Sequence, residues 1–245
     1  MRKTRFVVTL GLVMALGVAA IAYADGASDN EAGVVGKVKP TKLDKKKYKP
    51  VTLFTGVETS GTVTGAQQNP EQELISWGKN VKIDSKAAPT CSAPIEFLST
   101  DAAKQACPKG SAVGKGKASI VLPGGLEYEG LTVTVFNGPA KNQVRLHTYD
   151  PRLAGATPTV FGKVVKSKDG SKYGQALTVP DAPDVAGDTG MITEFNASLD
   201  KKSGVATARC KSKKFLWKRT VTYDDGSKES VTLSQKCKRK GGKKK

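Results

Sequence analysis

The 245-residue chain carries 40 Lys and Arg against 22 Asp and Glu, a formal net charge of +18 at pH 7, with one histidine and four cysteines. A single histidine and an even set of cysteines leave almost no material for a zinc site, a Ser-His-Asp triad or a Cys-His pair. The charge excess speaks of partners: nucleic acid, anionic cell-wall polymer, acidic polysaccharide or lipid head groups.

The chain opens with the basic residues Arg2, Lys3 and Arg5, an apolar run from Phe6 to Ile21, and the small-x-small triplet Ala22-Tyr23-Ala24 before Asp25. This is the pattern of an export signal over residues 1–24, with the mature chain beginning at Asp25. Cleavage removes three positive charges and takes the net charge from +18 to +15. No later stretch reaches bilayer length, so the expected product is extracellular, without a transmembrane segment, and either soluble or associated with the cell wall. Four cysteines fit an oxidising compartment and two bridges.

Residues 25–50 hold few large apolar side chains and include Lys45-Lys46-Lys47. Too little apolar surface is on offer there to offset the entropy of ordering, which predicts a flexible tether. Order is expected from Val51, where Val51-Thr52-Leu53-Phe54 and Leu74-Ile75-Ser76-Trp77 read as short strands, followed by Val81-Lys82-Ile83. Between Cys91 and Cys107 the segment Ser99–Ala106 has a capping serine and an alanine-rich interior, the marks of a two-turn helix pinned by a disulfide. Alternation returns at Leu131-Val133-Val135 and Val144-Leu146-Thr148, and Val160-Phe161 and Val164-Val165 follow. Phe215, Trp217, Val221 and Tyr223 share one parity, and Val231 and Leu233 share it beyond Asp224-Asp225-Gly226. A three-residue loop with Gly226 left-handed keeps both apolar sets on one face and sets Trp217 opposite Leu233. The fold class is therefore all-β. Residues 51–237 are expected as an antiparallel β-sandwich, immunoglobulin-like or a related Greek key, with one short helix and two local disulfides.

Four cysteines allow three connectivities, and proximity favours Cys91–Cys107 and Cys210–Cys237. His147 lies in a strand pattern with Arg145 and Tyr149 and reads as an exposed strand residue, not a metal ligand or a base. Asp224-Asp225 suits turn chemistry. Asp181, Asp184 and Asp188 lie in a Pro- and Gly-broken loop with oxygens enough to wrap a calcium ion, but the EF-hand spacing is absent and an ordinary loop is expected. Gly110–Gly116 is one residue short of a phosphate loop and has Gly116 where Ser or Thr belongs. No catalytic residue, metal or cofactor is expected.

The segment Cys107-Pro108-Lys109-Gly110-Ser111-Ala112-Val113-Gly114-Lys115-Gly116-Lys117-Ala118 resembles a Cys-Pro-x-x-Ser-x-Val-Gly-x-Gly-x-Ala signature of uncharacterised exported β-rich proteins of high-GC Gram-positive bacteria. Val135-Phe136-Asn137-Gly138, Tyr173-Gly174 and the closing segment from Cys210 to Cys237 are similar too. The resemblance brings no activity and no site residue.

What remains is charge. The tail 238–245 carries Lys238, Arg239, Lys240, Lys243, Lys244 and Lys245, candidate anion-binding residues, and Lys211, Lys213 and Lys214 precede Phe215. These features point to a secreted, non-catalytic, envelope-associated protein that holds anionic cell-surface polymer. Two other readings are a secreted carboxylate-dependent hydrolase of polysaccharide and an extracellular nucleic-acid binder. The first needs two acidic residues on one sheet face, the second exposed aromatics among the charges.

Overall fold

A computed structural model describes residues 20–23, 31–60, 70–122, 125–153, 159–180, 191–223 and 226–240. In chain order the strands begin with β1 (Ala20–Tyr23), β2 (Glu31–Lys39), β3 (Lys42–Leu43), β4 (Lys49–Pro50), β5 (Thr52–Ser60) and β6 (Pro70–Gly78). They continue with β7 (Val81–Ile83), β8 (Ala112–Leu122), β9 (Leu126–Asn137), β10 (Gln143–Tyr149), β11 (Thr159–Lys166) and β12 (Tyr173–Pro180). The last are β13 (Met191–Leu199), β14 (Ala206–Ala208), β15 (Lys214–Tyr223), β16 (Lys228–Lys236) and β17 (Lys238–Arg239), and α1 spans Thr100–Ala106.

Twelve strands make one antiparallel sheet in the order β1-β2-β5-β13-β8-β9-β10-β11-β12-β6-β15-β16. The sheet curls until its first and last strands face each other, so the architecture is nearly a barrel rather than two clearly packed sheets. A period of two announces strands with one buried face, and a sandwich and a curled sheet share it. At the seam no ladder joins β2 to β16. Gln235 spans it instead, accepting from Val38 N at 2.8 Å and donating to Val38 O at 3.5 Å.

The interior is filled by alternate residues. Along β15 Phe215, Trp217, Arg219, Val221 and Tyr223 are buried while Lys214 stands in water. Opposite them, β2 supplies Val34 and Val38 with Gly36 between, and a Cβ on Gly36 would fall 2.4 Å from the Trp217 indole. Residues 31–50 are thus not a tether. The nine residues of β2 pair with β5 throughout, and Ala32, Val34 and Val38, alternate residues along it, are buried. The boundary expected at Val51 moves forward accordingly. The expected tail is corrected in the same way at its start: Lys238–Arg239 pairs in parallel with Lys42–Leu43.

Arg219, 1% exposed, crosses the interior to donate to Gly33 O and Glu58 O at 3.2 and 2.8 Å, to Thr59 Oγ1, and to Glu73. A buried guanidinium needs such partners, and these fasten β15 to β2, β5 and β6. The last hairpin has the expected register, Trp217 opposite Leu233 and three residues in the loop, with Gly226 at φ 79°. In the Val-Gly-x-Gly stretch, a Cβ on Gly116 would lie 1.8 Å from Asn196 O, so the signature glycine serves the close approach of β8 to β13.

The segment between β7 and β8 forms a flap over the outer face of β9 and β10. Ser99 caps α1 by accepting from Ala102 N, and Cys91–Cys107 closes the loop as expected. Beneath it Cys91, Ile95, Ala103, Cys107 and Phe136 make a small apolar cluster. The flap corrects the reading of His147, which is 1% exposed, not a surface residue. Its Nε2 lies 3.0 Å from Leu98 O and its ring meets Phe136 edge-on at 6.2 Å. Cover from a segment some fifty residues away has no trace in the alternation of β10 itself.

Candidate functional site

Antiparallel pairing gives the barrel two ends. Lys39, Gly78, Asn137, Leu199, Lys214 and Lys236 lie at one end, and Ser60, Leu122, Tyr149, Pro180 and Tyr223 at the other. The first end is completed by two small sheets, β4-β14-β7 and the pair β17-β3. Three basic stretches far apart in sequence meet there.

The middle stretch, 209–214, is shaped by Asn80. Its amide donates to Ser212 Oγ at 2.8 Å and Lys214 O at 2.7 Å, and its oxygen accepts from Lys211 N at 3.1 Å. Lys211, Lys213 and Lys214 are left exposed on the turn so formed. The C-terminal stretch is bound by Cys210–Cys237 and by backbone bonds from Cys237 N to Lys213 O, Lys238 N to Thr41 O and Lys240 N to Leu43 O. Arg239 donates to Cys210 O and Lys211 O, tying the second stretch to the third. The first stretch, 42–49, joins through Cys210 N to Asp44 O, and Arg209 stacks 4.5 Å from the centre of the Tyr48 ring. Tyr48 in turn donates to Lys79 O at 2.7 Å.

Two acids among these lysines, Asp44 and Asp84, are turned to their own backbone. Asp44 accepts from Lys46 N and Lys47 N at 2.6 and 2.8 Å, and Asp84 accepts from Lys86 N at 3.1 Å. The backbone donors at Lys47 and Lys46 hold the Asp44 carboxyl below the usual carboxylate range. Lys42, Lys45, Lys46, Lys47, Lys49, Lys82 and Lys86 are all exposed around them.

Of the residues expected to bind anions, Lys238, Arg239 and Lys240 lie at this end and are exposed, while Lys243, Lys244 and Lys245 lie outside the described residues. Cys210 and Cys237 hold the site together, whereas Cys91 and Cys107 belong to the flap. Lys42–Lys49, taken in sequence for part of a tether, is the addition. A run of lysines was the only signal, and its place depends on the pairing of β3 with β17. The acidic loop with Asp181, Asp184 and Asp188 and the pair Asp224-Asp225 lie outside the described residues.

At the other end the character reverses. Glu58, Glu127, Glu129 and Glu194 line an open pocket of about 320 Å³ together with Ser119 and Thr193. Glu58 on β5 stands directly opposite Glu194 on β13, and Asn196 donates to Glu194 at 2.7 Å. Among the described residues no group of three or more His, Cys, Asp or Glu is placed to hold a metal ion, and no helix is long and apolar enough to cross a membrane.

No protein-family model and no curated protein matches the chain. Among solved structures, Clostridium perfringens delta-toxin aligns over 89% of each chain at 12% identity, with a TM-score of 0.28, a likeness too slight to carry an argument.

Proposed function

We propose that this is a secreted, non-catalytic, envelope-associated protein that holds anionic cell-surface polymer on the cationic end of its barrel. The observation that carries the reading is the meeting of residues 42–49, 209–214 and 236–240 on one surface, with Asp44 and Asp84 engaged in backbone caps. Lysines spread over several short strands make a wide field rather than a pocket, which suits a polymer better than a small ion. Phe215 and Trp217 are fully buried, so the aromatics beside Lys211–Lys214 offer no stacking platform and nucleic acid is the poorer partner.

Retention of the mature protein on isolated cell walls across a salt series tests this reading. Binding should weaken as salt screens the charges and again when Lys211, Lys213 and Lys214 are changed to Glu. Retention indifferent to both would end it.

A second reading, hydrolysis of polysaccharide by a carboxylate pair, draws on the facing Glu58 and Glu194 in an open pocket. Release of reducing sugar from cell-wall glycan, abolished by Glu194→Gln, would establish it in place of the first.

A further inference from the structure

Phe97 is 71% exposed and holds φ 66°, a left-handed backbone that bulky L-residues avoid. The surrounding structure fixes it there from both sides. Arg145, 3% exposed on β10, donates to Ala93 O and to the Glu96 carboxylate, each at 2.5 Å, while His147 meets Leu98 O and Leu98 N closes a turn on Ile95 O. Ile95 is buried beneath, and Cys91–Cys107 bounds the loop. A ring in water and a left-handed backbone are thus imposed on one residue by a rigid support, and backbone strain of this kind clusters where proteins clamp ligands.

Other groups at this place narrow the partner. The Arg145 guanidinium lies 5.4 Å from the centre of the Phe161 ring, directly across from it on β11, and Phe161 is itself 37% exposed. Arg145 therefore ties both aromatic residues to one carboxylate, Glu96, whose side chain is 41% exposed. Burial opposes ionisation of Glu96, but the backbone N–H donors and Arg145 prevail and its carboxyl stays below the usual range. A fixed anion beside the rings resists insertion into an acyl layer, yet it accepts hydrogen bonds from hydroxyl groups. Ring faces are electronegative and attract the electropositive C–H face of a sugar. Lys163, exposed and on the same face as Phe161 two residues along β11, leads from the rings toward the cationic end.

We propose that Phe97 and Phe161, with the Glu96 carboxylate, stack on and hydrogen-bond to sugar units of the polymer held at the cationic end, which makes that polymer an anionic polysaccharide. This rests on the polyanion reading, and two probes keep the failures apart: polygalacturonate, which has sugar and charge, and polyphosphate, which has charge alone. Titration calorimetry of the mature protein should show Phe97→Ala weakening polygalacturonate binding about threefold to tenfold, the usual cost of truncating an aromatic anchor, and leaving polyphosphate binding within about twofold. Phe97→Trp should retain the affinity and Phe97→Leu should lose it, because stacking needs a ring. Equal losses on both polymers, no loss on polygalacturonate, or full affinity in Phe97→Leu overturns the sugar contact while leaving the cationic end in place. A wild-type protein that binds neither polymer overturns both.

Discussion

The two ends of the barrel are built from one sheet and differ in almost everything else. At the cationic end short strands, a disulfide and backbone caps lock together stretches from the N-terminal, middle and C-terminal parts of the chain. At the acidic end glutamates stand on the long strands themselves, and Glu58 faces Glu194 across the pairing of β5 with β13. Connections that alternate between the two ends of an antiparallel sheet sort composition by end, so a net charge spread over the sequence becomes polarity in space. A polyanion meeting such a molecule is drawn to one end and turned away from the other.

The largest expected effect comes from cutting the tie at the cationic end. Replacing both Cys210 and Cys237 by Ser removes a bridge of 27-residue separation, which the chain-entropy model values at about 3.5 kcal/mol. Urea unfolding should show that loss, and retention on polyanion should drop in the variant because Lys238–Lys240 no longer sit beside Lys211. The matching change at Cys91 and Cys107 closes a 16-residue span, worth about 3 kcal/mol on the same basis, and should leave polyphosphate retention intact. Equal effects of the two double variants on retention would deny that the ends differ in function.

Next is the seam that both ends share. Gly36→Ala puts a methyl group into the Trp217 indole, and overpacking of this kind costs roughly 1–3 kcal/mol. The loss should appear as a lower urea midpoint at unchanged slope, with a shift in Trp fluorescence. Full stability in this variant would mean that β2 does not pack on β15 as described.

The flap contributes a pH dependence. Burial, foremost, pushes the His147 imidazole below its ordinary value of 6.5, and the bond to Leu98 O only partly opposes it. Because the unfolded chain takes up the proton first, stability is unaffected above about pH 6.5 and falls as pH drops from there toward the folded value, by at most about 1.4 kcal/mol per pH unit. Thermal unfolding between pH 7 and pH 5 should show the slope, and His147→Gln should remove it. Tyr223 acts at the alkaline side: burial and its bond to Glu229 push the phenol up to about 12, so its contribution is lost as pH rises above about 10.

The sequence made some of this legible and hid the rest for physical reasons. The last hairpin could be read to its register because apolar parity and a Gly at the turn admit one solution, and both disulfides followed from proximity. Helix α1 was visible from its Ser99 cap. Closure of the sheet was not, since Val34, Gly36 and Val38 in β2 gain meaning only from Trp217, about 180 residues later. The basic surface could be read as charge but not as a place, because Lys42–Lys49 joins it through the pairing of β3 with β17. Phe97 gave no sign at all: a left-handed backbone at an aromatic residue is imposed by its surroundings.

The smallest expected effect sharpens the acidic end. Like charges directly opposite each other on neighbouring strands are destabilising by roughly 0.2–1 kcal/mol, and Glu58 and Glu194 are such a pair. If the pair is a passive product of how the barrel sorts its charges, Glu194→Gln relieves the repulsion while keeping an acceptor for Asn196 Nδ2. The variant should then be slightly more stable at neutral pH, by a margin that shrinks with added salt, and its polyanion retention should rise or stay level. A variant that is less stable, together with loss of any glycan hydrolysis by the wild type, would instead give the acidic end the working role and return the cationic end to a matter of solubility.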